Sequence, residues 1–378
     1  MPKLLTVAIS LCLLSADSSA GARNDDELNR GGTNWPIFRG DTLADGVARS
    51  KLPNRPQLLW KHTVPGGAFE GTPAIVDGVV YIGDLDGTLF ALRLKDGSEI
   101  WKYTIDGGFP ASPAVRDSRV YIGDYDGGFH CIDAKTGEKQ WFFETNAEIS
   151  SCANFFQNTV LVGSQDATLY CLNALSGEVA WQLMLQDQIR CSPTIVDGRA
   201  FVAGCDGQLH IVNVEKGEAI ASVPINSPTG VTPAVRGDFA YFGTEAGEML
   251  SVNWKEAKVA WSFADNRRTQ SIRSSPAVNK SVVVYGSRSK QIYALHPQTG
   301  KELWTFPTKR RVDSSPVIVG NRAFVGSSDG RLYALNLADG KKQWEYETGG
   351  GFTGSPAVAD QRLVIANDDG VVYCFGSK

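Results

Sequence analysis

No two cysteines stand side by side in this sequence, and it contains only four histidines, His62, His130, His210 and His296. Those scarcities exclude several chemistries. There is no Cys-Xaa-Xaa-Cys pair for zinc and no Cys-Xaa-Xaa-Cys-His for covalent haem. The histidines have no metal-ligand spacing, which leaves them as strand and loop residues. A phosphate-binding loop and a His-Glu-Xaa-Xaa-His helix are also missing. Asp84–Gly87 and Asp124–Gly127 spell Asp-Xaa-Asp-Gly, but the twelfth position counted from Asp84 is Lys95 rather than Glu, so they read as hairpin turns and not as calcium loops. Charge of one sign is not in excess either. With 37 Lys and Arg against 41 Asp and Glu, the net charge of −4 gives no general attraction to nucleic acid or anionic lipid.

Long apolar runs are confined to the start. Residues 1–20 carry Lys3, an apolar stretch from Leu4 to Leu14, and small residues ending at Ala20. That order is the order of a secretory signal peptide cleaved near Ala20, and the run is short for a bilayer span. Cys12 follows Leu11 rather than a small residue, so it belongs to the apolar stretch and is not a lipid-attachment site. The expected product is periplasmic or secreted, without a transmembrane segment. Six cysteines remain beyond that point. Cys131, Cys171 and Cys374 occupy a slot that alanine fills elsewhere, as small core residues do. Cys152 and Cys191 lie at nearly equivalent places in neighbouring repeats, and their pairing stays open.

What the chain has in abundance is repetition. CIDAKTGEKQW (131–141) returns as CLNALSGEVAW (171–181), ALHPQTGKELW (294–304) and ALNLADGKKQW (334–344). A Ser/Thr-Pro pair begins at Thr72, Ser112, Ser192, Thr232, Ser275, Ser315 and Ser355, with Cys152-Ala153 in the remaining slot. The spacing is 40 residues, except 43 between Thr232 and Ser275. Eight copies at that period specify a propeller or solenoid. Each copy holds four short runs rich in Val, Ile and aromatics, separated by turn residues; in the second copy these are 112–117, 119–124, 129–134 and 138–144. The last copy stops after its third run, and the missing Trp-bearing run stands at the other end as LLWKHTV (58–64). The expected fold is therefore all-β. It is an eight-bladed β-propeller of four-stranded antiparallel blades, its ring closed by an N-terminal strand that covers an otherwise bare edge. The expected domain order is a signal peptide (1–20), an N-terminal extension (21–57) and the propeller (58–378).

Trp101, Trp141, Trp181, Trp261, Trp304 and Trp344 share one register, Trp60 supplies it for the eighth blade, and only the fourth lacks it, with Ala221 there. A large ring next to a Gly turn is an architectural device, wedged between blades. These residues resemble the tryptophan-docking motif, Ala-Xaa-Asp-Xaa-Xaa-Thr-Gly-Lys/Glu-Xaa-Xaa-Trp, of pyrroloquinoline-quinone (PQQ) repeat propellers. The resemblance covers residues 58–378, and NWPIFRGD (34–41) resembles the opening segment of the same superfamily. One branch, the quinoprotein dehydrogenases, implies PQQ, calcium or a lanthanide, a carboxylate base and commonly a vicinal disulfide. The other, bare propellers including the BamB scaffold family, implies protein binding. The compact blades and separated cysteines favour the second. The expectation is a non-enzymatic, monomeric, BamB-like scaffold with no cofactor, against the alternative of a small PQQ-dependent dehydrogenase or ligand sensor.

No catalytic residue is expected. The candidate surface is the face carrying the connections from the fourth strand of one blade to the first strand of the next. There an apolar residue repeats before each first strand, and the residue after it varies: Glu70, Arg190, Arg273 and Asp313 are the charged ones, aimed at the channel mouth. Arg267, Arg268, Arg273, Lys309, Arg310 and Arg311 place a basic cluster on two consecutive connections, suited to a protein partner or an acidic ligand.

Overall fold

The computed structural model describes residues 34–378. The signal segment and its cleavage site lie outside the described residues. Among those described, no helix is long and apolar enough to cross a membrane.

Eight antiparallel sheets of four strands, A to D, make up the ring. Blades 1 to 7 occupy 74–104, 114–144, 154–184, 194–224, 234–264, 277–307 and 317–347. Blade 8 takes strands A to C from 357–376 and strand D from Gln57–Thr63. That last pairing runs Leu58 to Phe375, Trp60 to Cys374 and Thr63 to Val371, as the truncated final repeat predicts. Strands B and C are buried along nearly their whole length, because each blade is covered on both faces by its neighbours. Strand D alternates between buried and exposed positions, since its outer edge meets solvent.

The repeated Trp ties six of the eight blades to the next. Its indole N–H donates to a carbonyl in the following blade: Trp60 to Leu94, Trp101 to Ala134 and Trp181 to Val214, at 2.9, 3.0 and 2.8 Å. Glycine is required opposite the ring. At Gly137, where φ is +77°, a Cβ would lie 2.8 Å from Trp101. The seam between blades 4 and 5 has neither half of this device, with Ala221 for Trp and Ala257 for Gly. Trp254 fills it from the blade 5 side. It is buried, it stands edge-on to Phe201 at 5.6 Å, and it donates to the Gly237 carbonyl at 2.9 Å.

Residues 34–55 are integral to the ring rather than an appendage, although the sequence separates 21–57 from it. This inner segment runs round the hub and satisfies the free edges of the A strands in blade order. It bonds to Ile75, Val115, Ile195, Val235, Val278 and Ile318 through Trp35, Pro36, Thr42, Leu43, Asp45 and Gly46. Val47–Ala48 then pairs in parallel with blade 7, and Ser50 accepts from the Gln361 N–H of blade 8. Arg39 is fully buried at φ +68° and donates to the carbonyls of Pro276 and Pro316, in blades 6 and 7. Gly46 makes room for its guanidinium, where any side chain would collide.

The six cysteines are free thiols in the structure, five of them buried. Cys131, Cys171 and Cys374 sit in the core, and burial pushes the Cys152 and Cys191 thiols up to about 12.

Candidate functional site

The Ser/Thr-Pro pairs begin the A strands, and the eightfold geometry brings their first residues into a ring around the axis. Each hydroxyl accepts the backbone N–H of its counterpart one blade earlier. Thr72 N–H reaches Ser112 Oγ at 2.8 Å, Ser192 reaches Thr232 at 3.0 Å, and Thr232 reaches Ser275 at 3.1 Å. Ser275 continues to Ser315 and Ser315 to Ser355, at 2.9 and 2.8 Å. Ser355 returns to Thr72. Cys152 N–H also donates into the ring, to Ser192 Oγ, but its own thiol stands where the eighth hydroxyl belongs. Among the described residues, no protein acceptor takes the proton of any of these seven hydroxyls.

This crown lines a cavity of about 420 Å³ at the loop end of the channel. Phe38 of the inner segment reaches its wall, and the segment itself bonds three residues deeper along the A strands. Around the mouth stand Glu70, Arg190, Arg273 and Asp313, which the sequence aims at it, and Arg288 and Arg311, which it does not. Arg288 comes from the B–C turn of blade 6. Its Nε and Nη2 fork onto the two oxygens of Asp313, both at 2.9 Å, and Arg311 Nε approaches the same carboxylate at 3.1 Å. Arg273 pairs with Glu245 at 3.2 Å, and Arg190 donates to Gln188 Oε1 at 3.1 and 2.6 Å.

The mouth is electrically two-sided. The arginines come from blades 4 to 7. Opposite them, burial and then Asp368, Glu148 and Asp313 raise the carboxyl of Glu70 above its ordinary range. Burial, then Glu70 and Glu148, raise the Tyr125 hydroxyl on the same side.

The remaining basic residues do not join this cavity. Arg267 folds back onto Asp265 at 3.1 Å. Lys309 and Arg310 line a second recess beside Asp329, Arg331 and Asp369. Arg268, Lys309 and Arg310 are exposed, and among the described residues their side chains pair with no carboxylate. The six-residue basic cluster of the sequence is thus divided between the mouth, a neighbouring recess and an outer loop.

The histidines and turn aspartates serve the frame. His130 Nε2 meets Asp124 Oδ2 at 2.7 Å and its Nδ1 meets the Tyr103 hydroxyl at 3.1 Å; His210 meets Asp206 and Ser222 in the same way, at 2.7 and 3.0 Å. Tyr170 and Tyr333 make the equivalent contact to Asp166 and Asp329, at 2.8 and 2.9 Å. The arrangement is therefore a recurrent latch from strand C to the B–C turn. Asp84 and Asp124 accept the N–H groups of their own turns, as hairpin residues do. Gly326–Gly330 spells Gly-Xaa-Ser-Xaa-Gly, but it forms a strand–turn–strand corner instead of the strand–turn–helix a nucleophile requires.

A family model described as outer membrane protein assembly factor BamB matches residues 45–155, 148–288 and 258–377. Comparison with curated proteins gives no significant sequence match. Among solved structures, BamB from Moraxella catarrhalis is similar with a TM-score of 0.74 at 19% identity, over 85% of this chain and 100% of that one. Quinohemoprotein alcohol dehydrogenase from Comamonas testosteroni gives 0.76 at 14% identity, over 92% and 81%. A computationally designed protein, Ika8, gives 0.75 at 16% identity, over 85% and 100%. At these identities the structural matches establish the fold alone.

Proposed function

The chain belongs to the family of the outer membrane protein assembly factor BamB, and from that premise we propose that it is a non-enzymatic, extracytoplasmic scaffold that binds a protein partner. The observation that carries this reading is the division of labour along the repeat. Features equivalent from blade to blade go into the frame: the Trp docking, the hydroxyl crown and the histidine and tyrosine latches. The charges that differ between blades gather on the D–A loop face, and Arg268, Lys309 and Arg310 are exposed there without a carboxylate of their own among the described residues. Exposed arginines fork onto carboxylates of a partner. The protein acts as a monomer, in the periplasm or outside the cell.

We also propose that no quinone cofactor is used. PQQ is a flat aromatic polyacid, commonly held with a cation. The cavity offers it one aromatic ring, Phe38, and among the described residues no group of three or more His, Cys, Asp or Glu could hold a metal ion. The donor set fits that pair poorly. Two measurements test the reading. Partner capture from the native source should be lost when Arg267, Arg268, Arg310 and Arg311 are all changed to Glu, and weakened by salt, since exposed charges are screened over about 8 Å. Capture that survives both at full strength refutes docking through these loops. Titration with PQQ and calcium should show no binding below about 1 mM; submicromolar binding with dye-linked alcohol oxidation would replace the scaffold by an enzyme.

A further inference from the structure

The crown at the base of the mouth is built to receive something. Each of its seven hydroxyls already accepts an N–H, which fixes the oxygen and leaves the O–H as a donor with no protein acceptor among the described residues. The residues carrying them are at most 8% exposed, so this is not a wet surface but a set of prepaid donors facing one space. Buried polar groups are as a rule satisfied, and a group left open at a cavity is completed by water or by ligand.

The charged lining decides what kind of ligand. On the arginine half, Arg190, Arg273, Arg288 and Arg311 stand against two carboxylates, Asp313 of the lining and Glu245 beside it, so that half carries two positive charges in excess. Asp313 is held by two of the arginines and Glu70 stands on the opposite side. A single dianionic headgroup balances that excess. A phosphate monoester supplies close to two negative charges and three strong acceptor oxygens, which match guanidinium forks and hydroxyl donors together. The rest of the space suits a hydroxyl-rich body. A crown oxygen can give its proton to a ligand hydroxyl, Glu70 can accept from another, and Phe38 gives one apolar surface. The volume of about 420 Å³ lies in the range of small-molecule sites.

We propose that the axial cavity is a binding site for a small phosphorylated polyol or sugar, held by the arginine half of the mouth and the hydroxyl crown. The site shares Arg311 with the basic loops, but Arg190 and Arg273, on which its test rests, are not among the four arginines changed there, so its failure leaves the scaffold reading untouched.

The test is calorimetry on the full mature chain with glucose 1-phosphate as probe, beside inorganic phosphate, glucose and citrate. The expected result is a dissociation constant below about 1 mM for glucose 1-phosphate, with each comparison compound at least about tenfold weaker. Arg190→Gln and Arg273→Gln, both at exposed positions, should each weaken the probe about tenfold or more, as loss of a charge-assisted contact does, while Arg268→Gln on the outer loop leaves it unchanged. Thermal melts of the three variants establish that they are folded. No heat with glucose 1-phosphate at 10-fold the expected constant, or about 10 mM, overturns the site. Phosphate binding as tightly as the sugar phosphate reduces it to an adventitious ion only, and citrate binding more tightly overturns the phosphate assignment.

Discussion

The backbone N–H of Ser355 in the last blade donates to Thr72 Oγ1 in the first at 3.2 Å, joining residues 283 apart. This bond and the strand pairing of Gln57–Thr63 with Val371–Gly376 both help to seal the ring. Thr72→Val keeps the shape and removes the acceptor, leaving a buried N–H open. The expected cost is about 1–2 kcal/mol in urea unfolding, with Thr72→Ser close to the parent. Equal stability of all three would mean that the crown bonds add nothing to closure.

The strand that closes the ring also carries Trp60, which packs on Gly97 and bonds the Leu94 carbonyl. Trp344 lies at the last seam, partly exposed, stacked on Tyr346 and edge-on to Phe375. Trp60→Ala should cost about 3–5 kcal/mol, the range for emptying a large aromatic site. Trp344→Ala should cost clearly less, because it buries less area and, among the described residues, its indole N–H has no acceptor in the next blade to lose. Denaturant midpoints of the two variants decide the order.

Trp254 makes a similar claim from outside the repeated register. It alone wedges the seam between blades 4 and 5, against Phe201 and beneath Arg199, whose guanidinium lies 5.3 Å from the ring. Trp254→Ala should therefore destabilise as much as Trp60→Ala. A variant that melts within about 1 °C of the parent, less than about 1 kcal/mol for a chain of this size, would show that the seam needs no wedge.

The inner segment predicts a pH effect. Burial, and next Asp45, raise the carboxyl of Asp41 to about 7, while Arg49 and the Leu43 and Ala44 N–H groups oppose the rise. A carboxyl whose pKa is higher folded than unfolded binds more protons in the folded state, so stability falls as pH rises between the ordinary value of about 4 and about 7. Asp41→Asn keeps an acceptor for the Leu43 N–H and removes the titration. The difference in melting temperature between parent and variant should shift in the parent's favour as pH drops from 8 to 5. A constant difference across that range would mean that Asp41 titrates normally.

Fold and site were not equally legible. A forty-residue period with a Trp, a Gly turn and a truncated last copy leaves one ring to build, and the blades follow it to within a few residues. The closing strand was readable for the same reason, as the missing part of a pattern. The inner segment belongs to no repeat, and the resemblance of 34–41 to an opening segment did not say where it runs. Arg39 and Gly46 are meaningful only once the hub around them exists, because its A-strand edges and the Pro276 and Pro316 carbonyls supply the contacts. Glu70, Arg190, Arg273 and Asp313 reached the mouth as their register implies. Arg288 escaped notice because it arrives from a different turn, and its fork onto Asp313 is a contact between residues 25 apart. The basic run 308–313 was divided because consecutive loop residues point different ways, Arg311 to the axis and Arg310 to the next blade's recess.

The path of residues 34–55 sets the order in which the molecule can be assembled. These residues leave the ribosome before any blade exists, yet each of their hub contacts waits for a blade made later, in the order of synthesis from Ile75 to Ile318. The N-terminus is thus a mandrel on which successive blades are laid. Strand D of blade 8 precedes every other strand of the blades in the chain, but its partner, Val371–Gly376, follows all of them. Until that partner is made the ring is an open arc with an unpaired strand edge, and only completion of blade 8 lets it lock.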